Sequence, residues 1–101
     1  MTDSDNYTDG TERDEVLQGA IDVWGEMLQI DIAIEELSEL TTALARQQRG
    51  RNEPIAVVEE IADVQLCLDQ LKRMYGPEEV QKIEQQKLER LSRRVEADRN
   101  E

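Results

Sequence analysis

The sequence predicts an all-α protein: an antiparallel bundle of about four helices, completed by oligomerisation. Apolar residues recur at spacings of three and four over most of the chain, which is the helical period. No segment shows the strict alternation of a strand, and glycine and proline fall at the junctions between the periodic runs. A length of 101 residues suits one domain and excludes a two-domain enzyme.

The first element is predicted to be a short helix behind an acidic tail. Residues 1–13 lack periodicity and are acidic, so we expect a flexible tail and a single domain over 14–101. The first helix should span about 14–24, with Gly25 as a break. Its helically spaced apolar residues are Val16, Leu17, Ala20, Ile21 and Trp24.

Two longer helices follow, over about 26–48 and 55–75. Gly50 ends the first, and Pro54 stands near the start of the second, where proline is tolerated. Each has an apolar seam, and we expect the two seams to pack antiparallel. The first seam is Ile30, Ile34, Leu37, Thr41 and Leu44, and the second is Val57, Ile61, Val64, Leu68, Leu71 and Tyr75.

A fourth helix is predicted over about 78–98, after the Gly76-Pro77 stop. One of its sides carries Val80, Ile83, Lys87, Leu91 and Val95. A helix of 23 residues is roughly 35 Å long, whereas a 100-residue domain has a radius of gyration of about 13 Å. Such long helices leave apolar stripes uncovered, so we expect a homodimer or homotetramer.

Charge and composition exclude several function classes. The chain has 24 acidic and 12 basic residues, hence a net charge of −12, which disfavours nucleic acids and anionic membranes as partners. It has no histidine, which removes histidine-based catalysis and most zinc sites, and a single cysteine, Cys67. Without a membrane-length apolar run or a secretory signal, the expected location is the cytoplasm.

Two pairs of acids stand beside the seams of the middle helices. Glu36 and Glu39 share one helix face, as do Glu60 and Asp63, because residues three apart are neighbours on a helix. Antiparallel packing would bring the pairs together, and four adjacent carboxylates cannot all stay ionised without a cation. Mg²⁺, or alternatively Mn²⁺, is the hard ion expected there. The other interpretation of each pair is an ordinary solvated face.

The ordered segments WGEMLQ, IEELSEL, TALARQQRGR, VEEIADV and KLERL resemble the short, single-domain members of the MazG-like family of all-α nucleoside triphosphate pyrophosphohydrolases. The resemblance covers about residues 15–95. The family's EExxE, spacer and ExxD motif reads here as Glu35-Glu36-x-x-Glu39, twenty residues, then Glu60-x-x-Asp63. It implies packed, usually dimeric or tetrameric helices that hydrolyse a nucleoside triphosphate to the monophosphate and diphosphate with Mg²⁺, in nucleotide-pool house-cleaning.

The resemblance also implies residue roles. Glu36, Glu39, Glu60 and Asp63 match the catalytic, metal-binding acids; one of them should orient or deprotonate the attacking water. Glu35 and Glu59 match flanking acids.

Basic and aromatic residues complete the expected site. The resemblance places phosphate contacts on the last helix, where Lys87, Arg90 and Arg94 form one stripe, and Arg46 stands where relatives often have lysine. Each basic residue has the alternative of solvation or pairing with a nearby glutamate. Trp24 and Gln29 are candidates to stack on and read the nucleobase, although Trp24 also fits an ordinary core position.

Two other functions remain open at this stage. One is a non-catalytic acidic helical dimer that acts as an interaction or regulatory protein. The other keeps the enzyme class but takes phosphoribosyl-ATP or dUTP as its dedicated substrate. Acids that border the seams favour the enzyme over the scaffold, because a scaffold would carry its charge away from the seams.

Overall fold

A computed structural model describes residues 10–100, which form four helices and no strand. The helices are α1 (Gly10–Trp24), α2 (Glu26–Gln48), α3 (Pro54–Tyr75) and α4 (Pro77–Arg99). The all-α prediction is confirmed. Helix α1 begins earlier than expected, so part of the predicted tail is helical; residues 1–9 of that tail lie outside the described range.

Glycines separate the helices where the chain needs a left-handed backbone. Gly25, between α1 and α2, has a φ of 92°, and Gly76, just before α4, has a φ of 114°. Side chains with a Cβ rarely adopt such angles. The backbone at these two junctions therefore requires glycine, as the sequence predicted. Because glycine ends each helical run, the expected bounds of α2, α3 and α4 agree closely with those observed.

A boundary between Leu71 and Lys72 divides the chain into two compact units. The first unit holds α1, α2 and most of α3. Within it, the guanidinium of Arg13 donates to the carboxylate of Asp69, at 2.9 Å from Nε and 2.5 Å from Nη2. The Nε2 of Gln70 donates to the Leu17 carbonyl at 3.4 Å. These bonds join α1 to α3, and Leu17, whose carbonyl accepts one of them, is buried.

Helices α2 and α3 run antiparallel. Glu36 of α2 lies beside Asp63 of α3. Gln29, seven residues before Glu36, lines the same cleft as Gln70, seven residues after Asp63. The order of residues is therefore reversed between the two helices. Near their connection, Asn52 donates from Nδ2 to the carbonyl of Ala43 at 3.3 Å.

The faces that meet inside this unit coincide with the predicted seams only in part: Val64 of the predicted α3 seam is buried. Large side chains of the expected α2 seam are exposed, Ile34 at 59% and Leu37 at 41%, and Ile61 and Leu68 on α3 are exposed as well. The buried positions of α2 are Gln29, Ala33 and Ala43, and those of α3 are Val64, Cys67 and Gln70. The predicted seams followed the helical spacing of the residues, which does not show which of several stripes faces the neighbouring helix. Apart from Val64, the buried side chains of α2 and α3 are small or polar, and the acids Glu36 and Glu60 are half-buried beside them.

The second unit comprises the last turn of α3 and α4. Every side chain from 81 to 100 is exposed, including the large apolar residues Ile83, Leu88, Leu91 and Val95. Pro77 occupies the first turn of α4, where a missing N–H is harmless. Across the described residues, no helix combines the length and the apolar character that crossing a membrane requires.

Candidate metal centre and adjoining cleft

Three carboxylates from two helices converge in the first unit. Glu36 projects from α2, and Glu60 and Asp63 project from one face of α3; one oxygen from each lies within 4.8 Å of the others. We call these three residues the carboxylate cluster. A single cation with metal–oxygen distances of about 2.1–2.4 Å spans that separation. The antiparallel packing predicted from sequence is what brings the acids of the two helices together.

Two oxygens of the carboxylate cluster are buried and unpartnered. Oε1 of Glu36 and Oε1 of Glu60 are shielded from solvent, and neither has a hydrogen-bond partner. A buried carboxylate oxygen without a donor is unfavourable unless it gains a proton or a cation. The cluster is therefore an electrostatically unsatisfied site, which distinguishes it from a solvated acidic face.

The pKa values of Glu36 and Glu60 are raised by the same burial and by the repulsion between neighbouring carboxylates. Burial, followed by the charges of Glu39 and Asp63, raises the pKa of Glu36 from 4.5 to about 7. Burial, again followed by Glu39 and Asp63, also raises the pKa of Glu60. Glu39 lies outside the three-oxygen group but close enough to repel both of its glutamates. The four predicted acids thus form one electrostatic unit, with three within reach of one ion.

The flanking acids are less involved. Glu35 and Glu59 are both exposed, and Glu59 acts on the site by adding to the negative charge that raises the pKa of Glu60.

A cleft of about 270 Å³ adjoins the carboxylate cluster, and Glu36 and Asp63 form part of its wall. Helices α1, α2 and α3 all contribute to it. Its apolar walls and its two amide side chains are Leu17, Ala20, Ile32, Leu66, Gln29 and Gln70. Ligand pockets usually measure about 300–1,000 Å³, so this cleft suits a small group better than a whole nucleotide.

Two residues predicted for base recognition line the cleft. Trp24, on α1, is 61% exposed, so it is not a core residue, and it is one of the residues that line the cleft. Gln29 is only 4% exposed, and its Nε2 has no hydrogen-bond partner. Leaving a buried amide donor unsatisfied costs about 1–3 kcal/mol. Both residues therefore line the cleft that adjoins the carboxylate cluster, and the Gln29 donor is unused.

Sequence reasoning missed Gln70. It is buried, it lines the cleft, and its amide is held by the Leu17 carbonyl. A signal was present: Gln70 follows Asp63 by seven residues, as Gln29 precedes Glu36 by seven. Two helical turns place each glutamine on nearly the same face as its acid, so antiparallel packing brings both to one end of the site.

Cys67 also lines the cleft. Burial, followed by the charges of Glu36 and Asp63, raises the pKa of its thiol. A thiol with a raised pKa stays protonated at neutral pH and is a poor nucleophile. Cys67 therefore contributes packing here.

The predicted phosphate-binding residues occupy other positions. Arg46 lies exposed in the last turn of α2 and is not a cleft residue. Lys87, Arg90 and Arg94 are exposed on α4, in the second unit. No lysine or arginine of the described chain lines the cleft.

The chain matches no protein-family model, no curated protein and no solved structure. The geometry of the carboxylate cluster and the cleft, together with the sequence motifs, is therefore the ground on which a function is inferred.

Proposed function

We propose that the protein is a Mg²⁺-dependent nucleoside triphosphate pyrophosphohydrolase of the MazG-like family, converting a (d)NTP and water to the (d)NMP and diphosphate in cytoplasmic nucleotide-pool house-cleaning. One observation carries the proposal: Glu36, Glu60 and Asp63 each bring one carboxylate oxygen within 4.8 Å of the others, and two of the three residues have a buried, unpartnered oxygen. Glu36 and Asp63 also form part of the wall of the adjoining cleft of about 270 Å³.

The donor set fits a hard divalent ion. All three ligand atoms are carboxylate oxygens, which Mg²⁺ and Mn²⁺ prefer, and the two unpartnered oxygens are the atoms a cation would satisfy. Glu36, Glu60 and Asp63 would hold the ion. When bound, Mg²⁺ supplies charge neutralisation to the phosphates and acidifies water.

The chain's own residues have distinct roles in this proposal. Glu39 hydrogen-bonds to Glu36 and Glu60 but lies outside the three-oxygen group, so in this proposal it is the acid that orients the attacking water. Attack at the α-phosphorus then releases diphosphate. The resemblance alone supports phosphate contacts by Arg46, Lys87, Arg90 and Arg94.

We also propose a homodimer or homotetramer. Large apolar side chains on all four helices are exposed in the single chain, among them Val16, Ile34, Ile61 and Leu91. Covering them against a second copy would remove apolar surface from water, which is the main favourable term in association.

The test is product analysis across a panel of dNTPs and NTPs, with dUTP and phosphoribosyl-ATP included. We expect diphosphate and the monophosphate in equal amounts, only with Mg²⁺ or Mn²⁺ present. Release of inorganic phosphate in place of diphosphate, or no turnover of any panel member, would contradict the proposal.

The alternative is the non-catalytic acidic helical dimer, which the exposed apolar faces also suit. Thermal melting with and without millimolar Mg²⁺ or Mn²⁺ separates the two. The enzyme should melt at a higher temperature with metal, because a ligand that binds only the folded state stabilises it. A scaffold without a metal site should show no shift.

A further inference from the structure

Helix α4 carries an amphipathic face that nothing in its own unit covers. It has 23 residues and no buried side chain, and Ile83, Leu88 and Leu91 are each at least half exposed. In proteins, most of the stability of a helix comes from packing its amphipathic face. We therefore expect this face of α4 to be packed in the assembled protein.

A line of residues along this face has an order that is complementary to its own reverse. Four residues follow one another at spacings of four, three and four: Val80, Glu84, Lys87 and Leu91. Residues at these spacings form one contact stripe along a helix. The order is apolar, acidic, basic, apolar. If a second copy of α4 lies antiparallel on this contact stripe, Val80 of each copy meets Leu91 of the other, and Glu84 of each meets Lys87 of the other.

We propose that α4 pairs antiparallel with α4 of a second copy, in the register that places Glu84 of each copy opposite Lys87 of the other. That a second copy is present rests on the self-association in the proposed function; the contact stripe adds the orientation, the register and the two ion pairs. Lys87 then meets a carboxylate of the second copy, which leaves phosphate contacts in the proposed enzyme to Arg46, Arg90 and Arg94.

Charge decides both the orientation and the register. A parallel pair of helices would place Glu84 against Glu84 and Lys87 against Lys87. An antiparallel pair displaced by three residues would place Glu84 against Glu84 in one direction and Lys87 against Lys87 in the other. Like charges across an interface disfavour it, whereas a complementary polar pair within a stripe of contacts fixes the register.

A hollow beside the contact stripe has room for an apolar side chain of the second copy. It measures about 300 Å³, and it is lined by the end of α3 and the first two turns of α4: Lys72, Pro77, Val80, Gln81 and Glu84. In the proposed register, Leu88 of the second copy lies at the level of this hollow and on the same side of the stripe. Antiparallel helices pack by inserting such a side chain between residues of the facing helix, and this burial removes apolar surface from water.

Sedimentation equilibrium of the full-length protein, without nucleotide or metal, tests the ion pairs. Lys87→Glu and Glu84→Lys each place like charges opposite one another, so each should raise the dissociation constant at least about tenfold. The double variant Glu84→Lys/Lys87→Glu restores opposite charges at unchanged net charge and should associate as the wild type does. Lys82→Glu is the matched control, because position 82 is exposed on the other side of α4.

Cross-linking tests the orientation. Val80→Cys and Leu91→Cys are treated with a short bis-maleimide, separately and as an equilibrated mixture, with the wild type, whose Cys67 is buried, as the control. The antiparallel register places position 80 beside position 91 of the second copy, whereas two copies of position 91 are about 16 Å apart along the helices. We therefore expect cross-linked dimer in the mixture only. Cross-linking of Leu91→Cys alone, or none in the mixture, would overturn the proposed register.

This pairing and the broader proposals fail separately. A monomeric wild-type protein would refute self-association and the α4 pairing with it. An oligomer that Lys87→Glu leaves intact, or that the double variant does not restore, would refute the α4 pairing and leave the assembly to other faces. Hydrolysis of dNTPs is measured independently of both outcomes.

Discussion

Glu36 keeps its proton at a pH where an ordinary glutamate has lost it, because it is buried among other acids. Its pKa is about 7 in the folded chain and 4.5 without those surroundings. Between these values the folded state binds more protons than the unfolded state, so stability should fall as pH rises from about 4.5 to 7. The stabilising contribution is complete below this window and lost above it.

Denaturant unfolding of the metal-free protein across that pH range checks this expectation. Glu36→Gln, which is permanently neutral, should lose much of the pH dependence; the remainder should come from Glu60, whose pKa is also raised. An unchanged slope in Glu36→Gln would show that the group responsible lies elsewhere.

Asp63 should matter for hydrolysis far more than for folding. It is exposed, and its contribution to the carboxylate cluster is one ligand oxygen. Asp63→Asn removes that charged ligand and should lower dNTP hydrolysis by at least about 100-fold, in line with the sensitivity of metal sites to changes near the ion. Glu53→Gln, in the exposed loop before α3, changes net charge equally and should keep wild-type activity. A similar loss of dNTP hydrolysis in both variants would show that the net charge of the protein, and not the ligand at position 63, controls activity.

At the scale of the helices, the junction at Gly25 should be sensitive to a single methyl group. Gly25 has a φ of 92°, and a Cβ there would meet nothing within 4 Å, so the cost of Gly25→Ala is backbone strain of about 1–3 kcal/mol. Gly19→Ala is the matched control: it lies inside α1 with equally open space, and should stabilise by about 0.5–1 kcal/mol.

Chemical denaturation measures both glycine variants. Opposite signs for the two substitutions would confirm that the junction requires a left-handed residue. Equal effects would mean that Gly25 has no special backbone role.

The helices could be predicted because their signals are local. Apolar spacing marks the interior of each helix, and Gly25, Gly50 and Gly76 mark the ends. The packing faces were predicted only in part, because which face of α2 meets α3 depends on how three helices pack together. Val64 of the predicted α3 seam is buried, whereas Ile34 and Leu37 of the predicted α2 seam are exposed and the small Ala33 is buried instead.

In the site, too, the features set by one helix could be predicted, and the features set by several helices could not. The acids could be found because each pair sits on one helix, so spacing alone places Glu60 beside Asp63. Their convergence with Glu36 followed from antiparallel packing. The cleft, and the part that Gln70 plays in it, depends on three helices at once, and only the structure shows it.

For the molecule as a whole, exposed apolar faces predict self-association. Sedimentation equilibrium should give the mass of a dimer or tetramer. Ile34→Glu, which places a charge on an outward apolar side of α2, should shift the protein toward monomer, because burying an unpaired charge at an interface is costly. Thr42→Glu adds the same charge at another exposed α2 position, so it tests whether dissociation depends on the position of the charge.

A monomeric wild-type protein would contradict the assembly proposal. If both variants dissociated equally, the effect would belong to net charge, which is already −12.

The central claim is that Glu36, Glu60 and Asp63 form a divalent-cation site. Calorimetric titration of Mg²⁺ and of Mn²⁺ into the wild-type protein and into Asp63→Asn tests it most directly. Saturable binding by the wild type, at least about tenfold weaker in Asp63→Asn, is the result expected. Absence of binding in the wild type, or equal affinity in the variant, would contradict the claim.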